Sequence, residues 1–251
     1  MKCFRVARAG LFAVLLASGT QPVMAEEDLT PGQEKAVREL VREILRENPE
    51  IVVEAIQAWQ ERQKAEEERQ LKATIAELRD ALENDPTSPI IGNPEGDVTI
   101  VEFMDYRCGY CKQVFPAIQA LLEEDGGIRY VLKEFPILGP DSEVAARAAL
   151  VVWELAPESY MEFHTALMSA RGGLNEKRVL GMVADLGLDA DRVRGLMQSP
   201  KITEIIQSNM AIAQGINIRG TPAFVIGGRL IPGAVSAEVL RELVAEARAQ
   251  G

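Results

Sequence analysis

The spacing of apolar positions predicts that the first part of the chain, residues 30–83, is helical. Apolar side chains recur there at intervals of three and four residues, as on one face of a helix. Thr30 precedes a proline and is followed three positions later by Gln33, a pattern typical of a capped helix start. Asn48-Pro49 predicts a break, because proline cannot continue the hydrogen-bond ladder of a helix. We therefore expect two consecutive helices.

The second of these helices has a charged middle, QERQKAEEERQ, and an apolar end. Its last apolar positions form a short heptad-like seam of Leu71, Ile75, Leu78 and Leu82. One interpretation is a helical hairpin folded onto the rest of the chain. A helix of about 35 residues with a charged middle cannot bury itself on a small domain along its whole length. The pattern therefore favours a helical oligomerisation arm over residues 26–83.

A change of pattern follows the helices. Residues 84–97 are rich in Pro, Gly, Asn and Asp and predict a linker. VTIVEFMDY, residues 98–106, predicts an apolar strand, and IRYVLKEF, residues 128–135, predicts a second one. Between them, apolar residues at helical spacing from Cys108 to Leu122 predict a helix.

The rest of the chain predicts a block of helices, a hairpin and a final helix. Five helices fall within about 142–215, with Gly187 and Gly215 as C-terminal stops. AFVIGGRLI then reads as two short strands joined by two glycines, followed by a helix from Ser236 to about Ala249. This order predicts an α/β domain over residues 98–251 with an inserted helical domain.

The first 25 residues have the layout of a secretory signal peptide. Three basic residues precede the apolar run GLFAVLLASG and the small-residue site VMA, so we predict cleavage after Ala25 and export to the periplasm. The apolar run is shorter than the roughly 20 residues that span a bilayer. The net charge of −11 argues against nucleic acid and anionic lipid as partners, since both are bound by basic patches.

Cleavage removes Cys3 and leaves two cysteines, Cys108 and Cys111, in RCGYCKQVF. A structural disulfide is disfavoured because the loop that it would close is very short. Zinc needs four ligands, and the single histidine, His164, lies among apolar residues at helical spacing, as a packed side chain would. We expect no metal or other cofactor as a resident group, although two thiolates alone can hold Cu(I).

The position of the cysteine pair favours redox chemistry. Cys108 is predicted at the N-terminal edge of a helix, where free N–H groups and the helix dipole stabilise a thiolate. Cys111 lies one turn further in. This arrangement provides an attacking thiol and a thiol that resolves the mixed disulfide.

FMDYRCGYC followed by GTPAFVIGG resembles the DsbA-like thiol-disulfide oxidoreductases of the thioredoxin superfamily, over residues 98–250. The resemblance implies a thioredoxin fold with an inserted helical domain, and a cis-proline, Pro222, beside the cysteines. Thr221 and Pro222 are then expected to contact substrate together with Gly109 and Tyr110. It also implies that Glu102 is a buried acid that moves protons to and from the inner cysteine. From the strand pattern alone, Glu102 can also pair with Lys133 of the next strand, and both roles can hold together.

Gly109-Tyr110 departs from the Pro-His of the most oxidising relatives and matches the dipeptide of envelope disulfide isomerases. Without a histidine, the thiolate loses a partner, although Arg107 adds some positive charge. LRENPEIVVEAIQAWQERQ resembles the N-terminal region of the suppressor-of-copper-sensitivity protein C group, whose extension can hold catalytic domains together.

These observations predict a periplasmic protein disulfide isomerase or reductase. The alternatives are a DsbA-like dithiol oxidase and a Cu(I)-binding copper-tolerance protein that uses the same cysteines. The expected partners are proteins with disulfides, a membrane redox protein and further copies of this chain, with a trimer favoured.

Overall fold

The structure is a computed structural model that describes residues 29–250. The predicted signal peptide, residues 1–25, lies outside the described residues. The chain divides into two compact units, the first ending at Gln60 and the second beginning at Glu61. Within residues 29–250, no helix is both long and apolar enough to cross a bilayer.

The first helices begin and break where the sequence predicts. Helix α1 spans Pro31–Glu47, α2 spans Glu50–Glu77 and α3 spans Arg79–Glu83. Thr30 caps α1 in a capping box: its hydroxyl accepts a hydrogen bond from the Gln33 N–H, and its own N–H donates to the Gln33 Oε1.

The first unit presents an unusually apolar surface. Helix α1 buries none of its residues. Ten large apolar side chains of α1 and the start of α2 are 38–57% exposed: Val37, Leu40, Val41, Ile44, Leu45, Ile51, Val52, Val53, Ile56 and Trp59. A set of exposed large apolar side chains is typical of an interaction surface.

The heptad-like seam runs from the end of α2 into α3 and packs against the sheet of this chain, with Leu71 and Leu78 partly buried. Ile75 and Leu82 are almost fully buried, in one cluster with Val101, Phe103 and Val131 of the sheet. Apolar spacing predicts a buried face but not what covers it; here the sheet of the same chain covers part of the seam, and the oligomerisation arm over residues 26–83 stays a prediction.

A five-stranded mixed sheet is the centre of the second unit. Its strands are β1 (Ile90–Gly92), β2 (Val98–Met104), β3 (Ile128–Glu134), β4 (Ala223–Ile226) and β5 (Arg229–Pro232), in the order β1-β3-β2-β4-β5. β2 and β3 are parallel, and the other neighbouring pairs are antiparallel. The predicted hairpin is confirmed, with Gly227 and Gly228 both at positive φ in its turn.

The prediction of a linker over residues 84–97 was wrong for residues 90–92, which form β1 and pair with β3. A three-residue strand between proline and glycine is too short to show an alternating pattern, so the turn-forming residues dominated the prediction.

Helices cover both faces of the sheet. Helix α4 spans Gly109–Glu124, and the inserted block comprises α5 (Pro140–Leu155), a 3₁₀ turn (Pro157–Ser159), α6 (Tyr160–Ser169), α7 (Glu176–Asp185), α8 (Ala190–Met197) and α9 (Pro200–Gly215). Helix α10 spans Ala237–Gln250. Gly187 adopts a positive φ directly after α7, as predicted. Gly215 is the last residue of α9, as predicted, but its φ is not positive. Asn217, two residues later, takes the left-handed conformation.

Candidate active site

The two cysteines lie where β2 leads into α4. Cys108 is the N-cap residue of α4 with extended backbone angles, and Cys111 is in the first turn. Both thiols are free; Cys111 is fully buried, whereas Cys108 retains 6% of its exposure. The accessible sulfur is therefore at the helix N-terminus, where helix N–H groups favour an anion.

Thr221 and Pro222 lie beside Cys108, although 113 positions separate Thr221 from it in sequence. The peptide bond between them is cis. The Cys108 thiol donates to the Thr221 carbonyl oxygen at 3.1 Å. The sheet brings the two segments together because β2 and β4 are hydrogen-bonded neighbours.

The dipeptide between the cysteines is open to solvent. Tyr110 is 65% exposed. A Cβ atom placed on Gly109 would meet no atom within 4 Å. Both residues can therefore contact a docked chain, and Gly109 tolerates a larger residue.

Glu102 is a buried acid of β2 whose charge acts on Cys111. Its Oε2 accepts a hydrogen bond from the Tyr130 hydroxyl at 2.7 Å, and its Oε1 has no protein partner. Burial raises the pKa of Glu102 to about 7, partly offset by the Tyr130 hydrogen bond. Burial, and then the Glu102 charge, raise the pKa of Cys111, so the inner thiol needs an acceptor for its proton.

The alternative pairing of Glu102 with Lys133 was wrong. Glu102 is opposite Leu132 in the parallel β2–β3 register, which places Lys133 on the other face of the sheet. Lys133 is fully buried there and donates to the Asp85 carboxylate at 2.9 Å and to the Ala81 carbonyl at 2.7 Å.

Asp105 is a site residue that the sequence analysis did not single out. It is buried in the loop between β2 and α4, and its carbonyl accepts the Cys108 N–H at 3.0 Å. Its Oδ1 accepts the Arg107 N–H at 2.7 Å, and its Oδ2 accepts the N–H groups of Ile137 and Leu138 at 2.9 and 3.0 Å. Its place three residues before Cys108, at a strand end, was the signal available in the sequence.

His164 is packed, as predicted. Its Nδ1 lies 2.9 Å from the Tyr106 hydroxyl, and its ring contacts the Phe115 ring edge-on. Burial lowers the pKa of His164 to about 3, so the ring is neutral at physiological pH. Lys112, the residue after Cys111, donates its Nζ to two carbonyls of the α6 C-terminal region, those of Leu167 and Ala170.

Within residues 29–250, no group of three or more His, Cys, Asp or Glu side chains is placed to hold a metal ion. The groups that the structure brings together at the site are two thiols, one buried acid and the backbone around them.

Comparison with known families agrees with this geometry. Residues 99–245 match the family described as DSBA-like thioredoxin domain. The chain belongs to the DsbA-like thioredoxin family. Residues 33–66 of this DsbA-like protein match a second family, the copper resistance protein ScsC N-terminal domain.

Solved structures cover both parts of this DsbA-like protein. A thioredoxin-like oxidoreductase from Silicibacter pomeroyi is 44% identical, with a TM-score of 0.65 and coverage of 68% of this chain and 98% of that one. Proteus mirabilis ScsC in a transitional conformation is 33% identical, with a TM-score of 0.66 and coverage of 89% of this chain and 100% of that one. The Na⁺/H⁺ antiporter NhaA 1 of Salinispora arenicola is 33% identical over 166 residues. The matched part is 65% of this chain and 25% of the antiporter's length.

The raised pKa of Glu102 predicts a pH-dependent loss of stability in this DsbA-like protein. The folded-state pKa of about 7 lies above the ordinary 4.5, so the folded state holds a proton that the unfolded state has lost between these values. The contribution of protonated Glu102 to the free energy of unfolding is fully present below pH 4.5. It is lost as the pH rises through 7. The wild type should lose roughly 3 kcal/mol over this window that Glu102→Gln does not lose.

Urea unfolding of both proteins at a series of pH values from 4 to 8 measures this difference. Glu134, whose pKa burial also raises, is present in both proteins, so the effect of its burial is common to both; only the smaller part of its shift that the Glu102 charge causes differs. Parallel stability curves for the two proteins would mean that Glu102 has an ordinary pKa.

Proposed function

We propose that this protein is a periplasmic thiol-disulfide oxidoreductase that isomerises or reduces incorrect disulfides in other proteins. The Cys108 thiolate attacks a client disulfide, forms a mixed disulfide and releases one client thiolate. In isomerisation, a client thiolate then attacks the mixed disulfide and restores the reduced protein. In reduction, the Cys111 thiolate displaces the client and leaves a Cys108–Cys111 disulfide.

Glu102 acts in the second route as the acceptor of the Cys111 proton. A buried carboxyl with a pKa of about 7 can accept that proton near neutral pH and release it again. Tyr130 holds the carboxyl in place, and the Oε1 atom without a protein partner is the atom free to take up the proton.

The observation that carries the choice of isomerase over oxidase is that, within residues 29–250, the Cys108 thiol is hydrogen-bonded to the Thr221 carbonyl and to no cationic side chain, the neighbouring Arg107 included. Gly109 and Tyr110 supply no charge, the neutral His164 is packed under Tyr106 and Phe115, and Lys112 is held by carbonyls of the inserted block. A thiolate with few stabilising partners makes the dithiol form less favoured and the protein more reducing. Such a protein can donate electrons to wrong disulfides.

The exposed apolar face of α1 and early α2 supports assembly into a homo-oligomer, with a trimer favoured. That face lies within the segment that matches the ScsC N-terminal domain. Several dithiols held together raise the effective thiol concentration at a captured client, which suits isomerisation.

Client binding and turnover need two further partners. Backbone beside the cis-proline, at Thr221, is suited to pairing with an extended client segment, largely independent of its sequence. Each reduction leaves an oxidised protein, so a membrane redox partner must return it to the dithiol form. A periplasmic location fits a predicted signal peptide and the periplasmic thioredoxin-like protein of Salmonella enterica, which is 33% identical.

A redox comparison tests the proposal. The double substitution Gly109→Pro/Tyr110→His restores the dipeptide of oxidising relatives, and proline is suited to position 109, the first residue of α4. We expect the variant to be more oxidising, with an equilibrium constant against glutathione shifted by about tenfold or more, and to reactivate scrambled ribonuclease less well. A single Tyr110→Phe substitution is the matched control and should leave the constant unchanged. A strongly oxidising wild type that fails to reactivate ribonuclease would establish the oxidase alternative.

A further inference from the structure

Most of the exposed apolar side chains of the second unit lie beside the cysteine loop or the segment that leads to the cis-proline. Within residues 61–250, the large apolar side chains with 38–65% exposure are Tyr110, Leu138, Met210 and Val239. Tyr110 lies between the two cysteines in sequence. The Leu138 N–H donates to the Asp105 carboxylate, and the Asp105 carbonyl accepts the Cys108 N–H. Single exposed apolar side chains are ordinary, but a group of them beside a reactive sulfur indicates a binding surface.

Met210 lines a groove between helix α9 and the segment that leads to the cis-proline. The groove has a volume of about 650 Å³. Its apolar lining includes Phe135 and Ile218, each with 6% exposure, and Met210 with 43% exposure. Its polar lining includes Gln207 and Arg219, and Arg219 is the one charged residue among the described residues that line the groove. An apolar lining with a few polar groups is typical of a pocket that takes an apolar side chain.

Chain segments from the cysteine site border this groove on two sides. On one side, Arg219 is two residues before Thr221, whose carbonyl oxygen accepts the Cys108 thiol at 3.1 Å. On the other side, Phe135 is followed by the N–H groups of residues 137 and 138, which donate to the Asp105 carboxylate. A chain advances at most about 3.6 Å per residue, so Ile218 and Arg219 lie within about 11 Å of Thr221. A client bonded to Cys108 can therefore reach the groove.

The position of the groove identifies its occupant as a client protein whose cysteine is bonded to Cys108. A client segment that pairs with the backbone at Thr221 is extended, and each of its residues advances about 3.3 Å. The client residue that reaches the groove is therefore about two or three positions from the client cysteine. An apolar side chain fits the lining there, whereas a lysine or arginine would meet the positive charge of Arg219.

We propose that this groove gives the protein a preference for client cysteines with an apolar residue about two or three positions away, and that Met210 determines this preference. This inference rests on the proposed function and names the substrate class of the same site. Backbone pairing at Thr221 accepts any sequence, and the groove adds selectivity for a side chain. Misfolded chains expose apolar segments that native proteins bury, so the preference directs Cys108 towards clients with incorrect disulfides.

The rates of attack on two peptide disulfides test the proposal. Each is the symmetric disulfide of a short peptide with one cysteine, which has either leucine or serine at the second and third positions on both sides. The Cys108 thiolate bonds to one peptide sulfur, and the second peptide leaves as a thiolate. Reduced full-length protein is mixed with each disulfide, quenched with acid at short times and weighed by mass spectrometry. We expect roughly tenfold faster attack on the leucine peptide, because the open groove buries part of a leucine side chain.

Met210→Asp should lower the ratio of the two rates to about one, because it places a carboxylate in the apolar lining. Ser208→Asp is the matched control: it adds the same charge at an exposed position of α9 that does not line this groove, and it should keep the wild-type ratio. A wild-type ratio near one, an unchanged ratio in Met210→Asp, or an equal loss in Ser208→Asp overturns the proposal. If the wild type attacks neither peptide disulfide nor glutathione disulfide, the dithiol function itself is wrong.

Light scattering distinguishes a client from a second copy of this chain as the occupant. Met210→Asp and the wild type should have equal masses in solution. A lower mass for the variant would mean that the groove holds part of a second copy, which overturns the proposal.

A measurement on proteins that keep Met210 observes the groove directly. The protein is labelled with ¹³C at its methionine methyl groups, and Cys111→Ser keeps each peptide bonded to Cys108. The Met210 methyl resonance should move further when the leucine peptide is attached than when the serine peptide is attached. Equal movement with the two peptides also overturns the proposal.

Discussion

Replacing Cys108 with serine should reduce insulin reduction and ribonuclease reactivation by on the order of a thousandfold or more, to the uncatalysed rate. Cys108 is the cysteine at the helix N-terminus that keeps some exposure, and the Cys111 sulfur is fully buried. A serine hydroxyl at position 108 is not a nucleophile towards disulfides. The remaining thiol of Cys111 is shielded and has a raised pKa, so it cannot substitute.

Cys111→Ser should differ from Cys108→Ser in the same assay, because it blocks resolution of the mixed disulfide and not attack on the client. Cys108 remains able to attack, so the variant should accumulate mixed disulfides with insulin that are visible on non-reducing gels, and should turn over slowly. The two variants together separate attack from resolution. Equal residual activity in both, with no mixed disulfide in either, would contradict the assignment of Cys108 as the attacking thiol.

The cysteine pair could be predicted from sequence because its signal is local. The Cys-x-x-Cys spacing after an apolar strand places Cys108 at a helix start. The place of Thr221 and Pro222 beside the cysteines and the burial of Glu102 were instead implied by the resemblance to the DsbA-like family. Because β2 is buried on both faces, its pattern alone does not decide what Glu102 contacts.

What the sequence left undetermined depends on contacts between distant segments. The parallel register of β2 and β3 decides that Glu102 faces Tyr130 and that Lys133 faces the opposite side, and a one-residue change of register would reverse this. The Asp105 carboxylate accepts two N–H groups of a loop after β3. No spacing rule within the cysteine motif indicates either contact.

The buried end of the helical segment leads to a prediction about truncation. Deletion of residues 26–60 removes the exposed apolar face and should leave a folded, redox-active protein that no longer assembles. Deletion of residues 26–83 should instead leave a protein that unfolds readily, because it also removes Ile75 and Leu82 from the sheet-face cluster. It takes away the Ala81 carbonyl that Lys133 donates to as well, which leaves a buried cation with one partner fewer.

Thermal unfolding and light scattering of the two truncated proteins measure both effects, and point variants of the full chain check the cause. Leu82→Ala should cost about 2–5 kcal/mol of unfolding free energy, because a fully buried leucine leaves a cavity. Leu138→Ala is the matched control: its side chain is 44% exposed, and the expected change is within about 0.5 kcal/mol. Equal stability of the two truncated proteins would mean that residues 61–83 contribute nothing to the fold, which contradicts the burial of Ile75 and Leu82.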